Sequence, residues 1–462
     1  MEELKAKNAV KPEKTDSRQN ERTAIEQKVL SRIVPQEDIL PRVNLFIDSF
    51  SSVIKSLKLD CRIAIGGSVA KNTHLVNDFD CDLFIRFNPK KYATDEIGGL
   101  LAAIVKKKQA AGELLDAQLL HGSRDYYKTV IDGITYELVP TLDVAAASDA
   151  SNITDMSLFH VDWAVQKCKQ YLQRTRRKHQ SLNDEIRLAK AFCKAQNVYG
   201  AESYIGGFSG HVVDILVIAY GGFEELLEQS YKWVANSDES NKPLIDVESY
   251  YSSLKKDPLL LINEAKLTSP IIVIDPIVPS RNAASALTEA CLSRFVTAAQ
   301  EYLKKPSTLF FERTEFDHRS LELLAGVTYK IHLAPLSDKK DIAGAQHVKV
   351  LAYICEQAAQ HDFAVVGSGW NWSTQFSGDI FVRVEKDTLS PTATVRGPPV
   401  SMASAAAAFE AIYSQALQTF EKDDRLWATA KRKFTDFGAL LDSLKMHELI
   451  TVRSKSFSWT KL

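Results

Sequence analysis

Asp80 and Asp82 stand in D-x-D spacing at the start of "DCDLFIRF", residues 80–87, a run otherwise filled mostly with Cys, Leu, Phe and Ile. Side chains two apart on a strand share a face, so both carboxylates point one way while Cys81, Leu83 and Ile85 point the other. Paired like charges on a sheet whose other face is dry need water or a cation beside them. That leaves an exposed strand end or a cation site. The EF-hand pattern of alternating acids closed by a glutamate is absent, which excludes a calcium loop of that kind. Ser68 lies twelve residues ahead of Asp80, in the turn "IGGSVAKNT". There Gly66 and Gly67 let backbone N–H groups approach an anion, and Ser68 adds a hydroxyl donor. A helical turn over "SVAKNT" would aim its positive end at a phosphate, with Lys71 one turn further on.

The neighbouring segments supply a sheet. "RIAIG" at 62–66 reads as a strand, and so does "YYKTVIDGITYELVP" at 126–140, where Asp132-Gly133 suits a tight turn and makes a hairpin. Glu137 then lies among apolar residues of the second hairpin strand. Three strand carboxylates brought together form a hard-oxygen site suited to Mg²⁺, with substrate phosphates and water completing its shell. Such a site serves in-line displacement at phosphorus.

Beyond this sheet the chain reads as α+β and multidomain, because 462 residues exceed what one core organises. A polar, aromatic-poor segment at 1–25 reads as a flexible arm. The catalytic sheet domain is expected over 26–147, a helical central domain over 148–268, and an α+β body with a tail subdomain over 269–462. Helical periodicity runs from Ile25 to Leu57, interrupted by Pro35 and Pro41, and again over 97–105, 148–235, 286–304 and 406–432. Strand-like runs are "SPIIVIDPI", "YKIHLAP", "FAVVG" and "DIFVRVE".

With 57 basic and 58 acidic residues, no global field favours a polyanion, so any nucleic-acid surface must be local. Basic clusters stand at 106–108, 174–179 and 431–433 and in "RSK" at 453–455, and each taken singly reads as a solvated helix face in preference to a phosphate track. Six cysteines without C-x-x-C spacing suggest reduced thiols and no structural zinc. No apolar run approaches a membrane span of about 20 residues, and there is no secretory signal. A cytoplasmic protein is expected, with monomer and homodimer both open.

"GSVAKNTHLVNDFDCDLF" at 67–84 resembles the G-S-x-x-[RK]-x-T…[DE]-x-D signature of the polymerase-beta-like nucleotidyltransferases. More closely, the chain is similar to the archaeal-type (class I) CCA-adding tRNA nucleotidyltransferases. "YELVPTLDV" resembles that family's third-carboxylate strand, "DMSLFH" its D-R-T-P-x-H segment, and "RLAKAFCKAQNVYGAESYIGGFSGHVVDILVIAYGGF" its central-domain signature. "IDPIVPSRNAASALTEACLSRFVTAAQEYLKKPS" is similar to its D-P-x-x-P-x-R-N-x-A-x-x-L stretch, and "RGPPV" and "DDRLWATAKRKF" to C-terminal elements.

The resemblance implies a nucleotidyltransferase head, a helical central domain and a tRNA-binding C-terminal part. It implies addition of CMP, CMP and AMP to the 3' end of tRNA from CTP and ATP, with Mg²⁺ as cofactor. A poly(A) or other RNA terminal nucleotidyltransferase sharing the same head is the alternative. Asp80, Asp82 and Glu137 would be the catalytic, metal-binding carboxylates. Gly67, Ser68, Lys71, Ser157, His160, Lys190, Tyr199 and Arg281 would bind nucleotide. The chain departs from the family at Glu137, usually aspartate, at Leu158, usually proline, at Val278, commonly acidic, and at Ser280, commonly basic. By pattern alone, Lys190 with Arg187 and Lys194 also fits a solvated helix stripe. His160 near Trp163 equally fits a core-edge histidine, and Tyr199 before Gly200 reads, on pattern alone, as a helix-end packing residue.

Overall fold

Prolines set the first boundary. Pro35 and Pro41 divide the N-terminal helical pattern into α1 (Glu13–Ile33) and α2 (Leu40–Ser56) in the computed structural model. That structure describes residues 13–171, 181–235, 242–254, 260–337, 339–374 and 376–462. From Glu13 onward the segment expected as a flexible arm is helical. Gln19 donates to Glu224 at 2.5 Å and Arg22 pairs with the same carboxylate, which ties α1 to the helical core.

The sheet follows with β1 (Cys61–Ile65), the single turn α3 (Gly67–Ala70), β2 (Asp80–Phe87), α4 (Ile97–Ala110), β3 (Gln118–Leu120), β4 (Tyr126–Ile131) and β5 (Ile134–Leu142). Its order is β1-β2-β5-β4-β3. β2 and β5 run parallel, and the other neighbours are antiparallel. The alternation of β2 is satisfied as the sequence demands. Cys81, Leu83, Ile85 and Phe87 are buried against Val43 and Phe50 of α2 and Leu101 and Ile104 of α4. The opposite face leaves Asp80, Asp82 and Glu137 half-buried. Asp132 and Gly133 take φ of 49° and 76°, the left-handed pair that a two-residue hairpin needs. This turn fixes Ile131 opposite Ile134, and hence Lys128 opposite Glu137. The lysines of 106–108 do not form an open basic track: Lys107 donates to Ser56 at 2.8 Å, and Lys108 is buried on Glu113 at 2.7 Å.

The rest of the first compact unit, which ends at Arg313, is mainly helical. It comprises α5 (Ser157–Tyr171), α6 (Leu182–Ala195), α7 (Gly210–Tyr220), α8 (Phe223–Ala235), β6 (Leu244–Ile245), α9 (Tyr250–Leu254), β7 (Ile272–Val273) and α10 (Glu289–Lys304). Ser181 and Ser209 cap α6 and α7 by accepting the N–H of Asp184 and Val212, and Gly221 closes α7 at φ 88°. Phe192, Phe208, Phe223, Phe295 and Tyr302 form an aromatic centre. Because α10 belongs to this core, the unit runs past the expected border at 268/269. "SPIIVIDPI" yields only the two-residue β7, paired parallel with β6. The basic cluster at 174–179 lies outside the described residues.

The second unit, Thr314–Leu462, is α+β. It contains β8 (Val327–Pro335), α11 (Lys340–Gln360), β9 (Val365–Trp372), β10 (Gly378–Val384), β11 (Thr392–Pro399), α12 (Ala403–Ile412), β12 (Gln418–Lys422), β13 (Arg425–Lys431), α13 (Phe437–Lys445), α14 (Glu448–Thr451) and β14 (Ser454–Lys461). Two sheets, β14-β8-β10-β9 and β11-β13-β12, carry it, with Ile331, Val350, Ile354, Phe437 and Leu441 in its core. The helix expected over 406–432 is corrected here: it stops at Ile412, and β12 and β13 form a hairpin. Asp423 and Asp424 adopt φ of 53° and 56°, and Phe420 faces Trp427 across the strands. In the cluster 431–433, Arg432 is paired with Asp362. No described helix is long and apolar enough to cross a membrane.

A Cβ built on Gly133 would meet nothing within 4 Å, so Gly133→Ala probes backbone conformation alone. It should cost about 1 kcal/mol in denaturant unfolding, the penalty for alanine at positive φ. A neutral result would show that this turn does not enforce the hairpin register.

Candidate active site

Parallel pairing of β2 and β5 places Asp82 directly opposite Glu137 and Asp80 opposite Thr135. The three carboxylates therefore share the open face of one sheet. The turn before them is built around one close approach. Gly67 has φ 56°, and a Cβ there would fall 1.6 Å from Asp82 Oδ2, so only glycine lets the Gly67-Ser68 backbone cross in front of that carboxylate. The backbone N–H of Gly66 donates to the Asp82 carbonyl at 2.8 Å and fixes the turn to the strand.

The far wall is α6 and α7. Asn183, Arg187, Lys190 and Lys194 recur at helical spacing and all grip the loop between the glycine turn and β2. Asn183 donates to the Lys71 carbonyl at 2.7 Å, and Arg187 to the His74 carbonyl at 3.1 Å and to Asn72 at 2.7 Å. Lys190 donates to Thr73 Oγ1 at 2.9 Å, and Lys194 pairs with Asp78 at 2.7 Å. Arg187 and Lys190 are buried, so the stripe is a docking surface and not a solvated face. Asp214 of α7 is fully buried, pairs with Lys71, and lies 3.3 Å from Lys190 Nζ.

Between these walls is an open cleft of about 520 Å³, a volume ordinary for a small-molecule site. Gly67, Ser68, Lys71, Asp80, Asp82, Glu137, Lys190 and Tyr199 all line it. Ser157, His160 and Arg281 are not among its lining residues. His160 and Arg281 instead meet on the buried Asp275: His160 Nε2 at 2.9 Å, Arg281 Nη1 at 2.5 Å. His211 links the two places, lining the cleft and standing 3.5 Å from Asp275. Ser157 opens α5, three residues ahead of His160.

Charge in the cleft is unevenly balanced. Burial, and then the neighbouring Glu137 and Asp80 charges, push the Asp82 carboxyl up to about 7, against the pull of Lys71. Burial also raises Glu137, although Lys128 opposes it. Lys128 of β4 places its Nζ 3.1 Å from both Asp80 and Glu137; burial works against its charge, but the two carboxylates outweigh that and hold its pKa above the ordinary lysine value. Burial lowers Lys190 to about 8 despite Asp214. Asp214 itself, though burial would raise it, is held below the usual carboxylate range by Lys190 and Lys71.

Among the described residues, two donor sets come into question as metal ligands, and only the first has all of its ligand atoms drawn together. His160, His211 and Asp275 have ligand atoms all within 4.8 Å of one another. Asp275 Oδ1 already accepts the backbone N–H groups of Ile277 and Val278 at 2.9 and 3.1 Å, and Oδ2 is held by Arg281. That carboxylate is hydrogen-bonded on both oxygens and serves to fix Arg281. The all-oxygen set of Asp80, Asp82 and Glu137 carries three carboxylates against the single ion-paired Lys128, and suits a hard divalent cation. Lys128, Asp214, His211 and Asp275 were missed from the sequence. Only Lys128 had a legible signal, the register that the Asp-Gly turn imposes.

Residues 184–312 match the family described as tRNA nucleotidyltransferase, second domain, and residues 339–451 match that described as CCA-adding enzyme, C-terminal domain. A CCA-adding enzyme of Nanoarchaeum equitans is 30% identical over 315 residues, 68% of this chain and 71% of its own. One from Pyrococcus abyssi is 27% identical over 426 residues, 90% of this chain and 86% of its own. Among solved structures, a cytoplasmic RNA terminal U-transferase aligns over 64% of this chain and all of its own at 12% identity, with a TM-score of 0.46.

Asp82's folded pKa of about 7 lies above its ordinary 3.8. Its ionisation therefore costs nothing in stability well below pH 4, and the cost grows as pH rises until it passes about 7. In chelator, Asp82→Asn should be more stable than wild type at pH 8 by up to about 4 kcal/mol, with the gap narrowing towards pH 5. Urea unfolding at both pH values measures this. A variant less stable than wild type at pH 8 would contradict the electrostatic picture.

Proposed function

The chain belongs to the CCA-adding enzymes, tRNA nucleotidyltransferases of the archaeal type, and from that membership we propose which of its residues carry the reaction. The enzyme adds CMP, CMP and AMP to the 3' end of tRNA, drawing them from CTP and ATP and releasing pyrophosphate. The observation that carries the assignment is one cleft that holds three carboxylates of a single sheet face opposite Ser68 and Lys71.

Asp80, Asp82 and Glu137 are the residues that would hold Mg²⁺. The fit rests on their chemistry: an all-oxygen anionic set in which burial, then neighbouring carboxylate charge, pushes both Asp82 and Glu137 upward. When bound, the ion supplies charge neutralisation at the phosphates and a more acidic attacking hydroxyl. The protein does the positioning. Ser68 Oγ and the Gly67 backbone face the phosphate oxygens at close range, which the glycine permits. Lys71 and Lys190, both aligned by Asp214, present ammonium groups to the β and γ phosphates that leave as pyrophosphate. Tyr199 lines the central-domain wall on the ribose side.

Arg281 contributes to base recognition. Asp275 holds one edge of its guanidinium and leaves the remaining N–H donors in a fixed fork, with His160 and Ser157 on the adjoining α5 side. The second unit, which matches the C-terminal domain of the family, contributes to tRNA binding. Because the net charge is −1, the grip on RNA relies on shape and local backbone contacts.

A tRNA transcript lacking its CCA end, supplied with CTP and ATP, should gain three nucleotides and stop. Asp82→Ala should slow that addition by about 10³-fold or more, as loss of a residue acting within a catalytic unit does. A long single-base tail, or an unchanged rate in the variant, would overturn the reading.

A further inference from the structure

Lys128 is neither one of the three carboxylates nor a residue lining the cleft, yet it makes two ion pairs to the catalytic set. Its Nζ lies 3.1 Å from Asp80 Oδ2 and 3.1 Å from Glu137 Oε1. The position is built into the sheet. Lys128 pairs with Glu137 across β4 and β5, and Glu137 pairs with Asp82 across β5 and β2, so the three form one row on one face. No adjustable loop is involved.

Lysine ends in a compact ammonium point charge. Here that charge sits where Asp80 and Glu137 converge, on two of the carboxylates that would hold a divalent cation. A hard cation takes carboxylate oxygens at about 2.1 Å, well inside the ammonium's 3.1 Å. The two cations repel each other and draw on the same oxygens.

We propose that Lys128 is a tethered competitor for the divalent cation: it occupies Asp80 and Glu137 in the empty enzyme and yields them when the metal enters. This rests on the assignment of Asp80, Asp82 and Glu137 as the metal carboxylates. The lysine lessens carboxylate repulsion in the empty enzyme and weakens metal binding in the absence of nucleotide. A triphosphate adds negative charge beside the row, so metal loading becomes linked to nucleotide arrival.

The test is Mn²⁺ binding to the full-length protein without nucleotide, followed by the electron paramagnetic resonance signal of free Mn²⁺ at pH 8. Lys128→Met should bind Mn²⁺ about tenfold more tightly than wild type, the size expected from removing one neighbouring charge in a half-exposed site. Lys128→Gln, which keeps a polar end, should shift in the same direction, and thermal melts of both variants check folding. Asp82→Asn is the control for the underlying assignment. If it binds Mn²⁺ as tightly as wild type, the carboxylate site itself is wrong. If it loses binding while both folded Lys128 variants bind no more tightly than wild type, the carboxylate site stands and the competitor role is refuted.

Discussion

Mutual repulsion among Asp80, Asp82 and Glu137 is the constraint that the surrounding structure answers. Burial, and then the charges of Glu137 and Asp80 on the same sheet face, push the Asp82 carboxyl up to about 7. The strands cannot relieve it by separating. β2 is parallel to β5 in an eight-residue register, and its other face is sealed under α2 and α4 by Leu83, Ile85 and Phe87. Apolar burial on the closed face, worth about 1.5–3 kcal/mol for each large side chain, offsets strain on the open one. What is left to the open face is compensation by positive charge. Lys128 provides part of it through its ion pairs to Asp80 and Glu137.

The second wall answers the converse requirement, that of cations withdrawn from water. Lys71 and Lys190 are both largely buried. Asp214 supplies the counter-charge inside α7, where removing one partner would leave another buried charge uncompensated. The α6 stripe holds the loop from Lys71 to Asp78 through four side chains. The helical domain thus sets the geometry of a loop whose sequence belongs to the sheet domain. Neither half forms the cleft alone.

The sequence made the carboxylate face legible because strand alternation is local: Asp80 and Asp82 share a side wherever the strand lies. Glu137 followed from a turn dipeptide. The same turn determines that 128 opposes 137, so Lys128 was also within reach once the hairpin was recognised. The α6 stripe is ambiguous because helical spacing of basic residues looks identical whether the face is solvated or docked, and its partners Asn72, Thr73, His74, Asp78 and Asp214 decide it. His160 and Arg281 were selected by resemblance, and their common partner Asp275 lies 115 residues from His160, a separation with no periodic signal. The hairpin at Asp423-Asp424 was read as helix because it lacks the glycine that marks such turns. The start of α1 was hidden by polar composition, its docking resting on Arg22 and Glu224, which are distant in sequence.

Glu137 stands where the sequence resemblance leads one to expect aspartate, and the row in which it sits gives that difference a physical setting. Directly opposed residues on an antiparallel pair have Cβ atoms about 4.5–5.5 Å apart, and lysine needs its full stem to carry an ammonium toward β2. An aspartate at 137 would hold its oxygens closer to the sheet, whereas glutamate carries them outward to meet Nζ 3.1 Å away. The longer acid and the cross-strand lysine are therefore understandable as one paired feature. Glutamate extends the anionic edge of the site, and lysine supplies the positive charge that keeps this extended edge ordered before a substrate arrives.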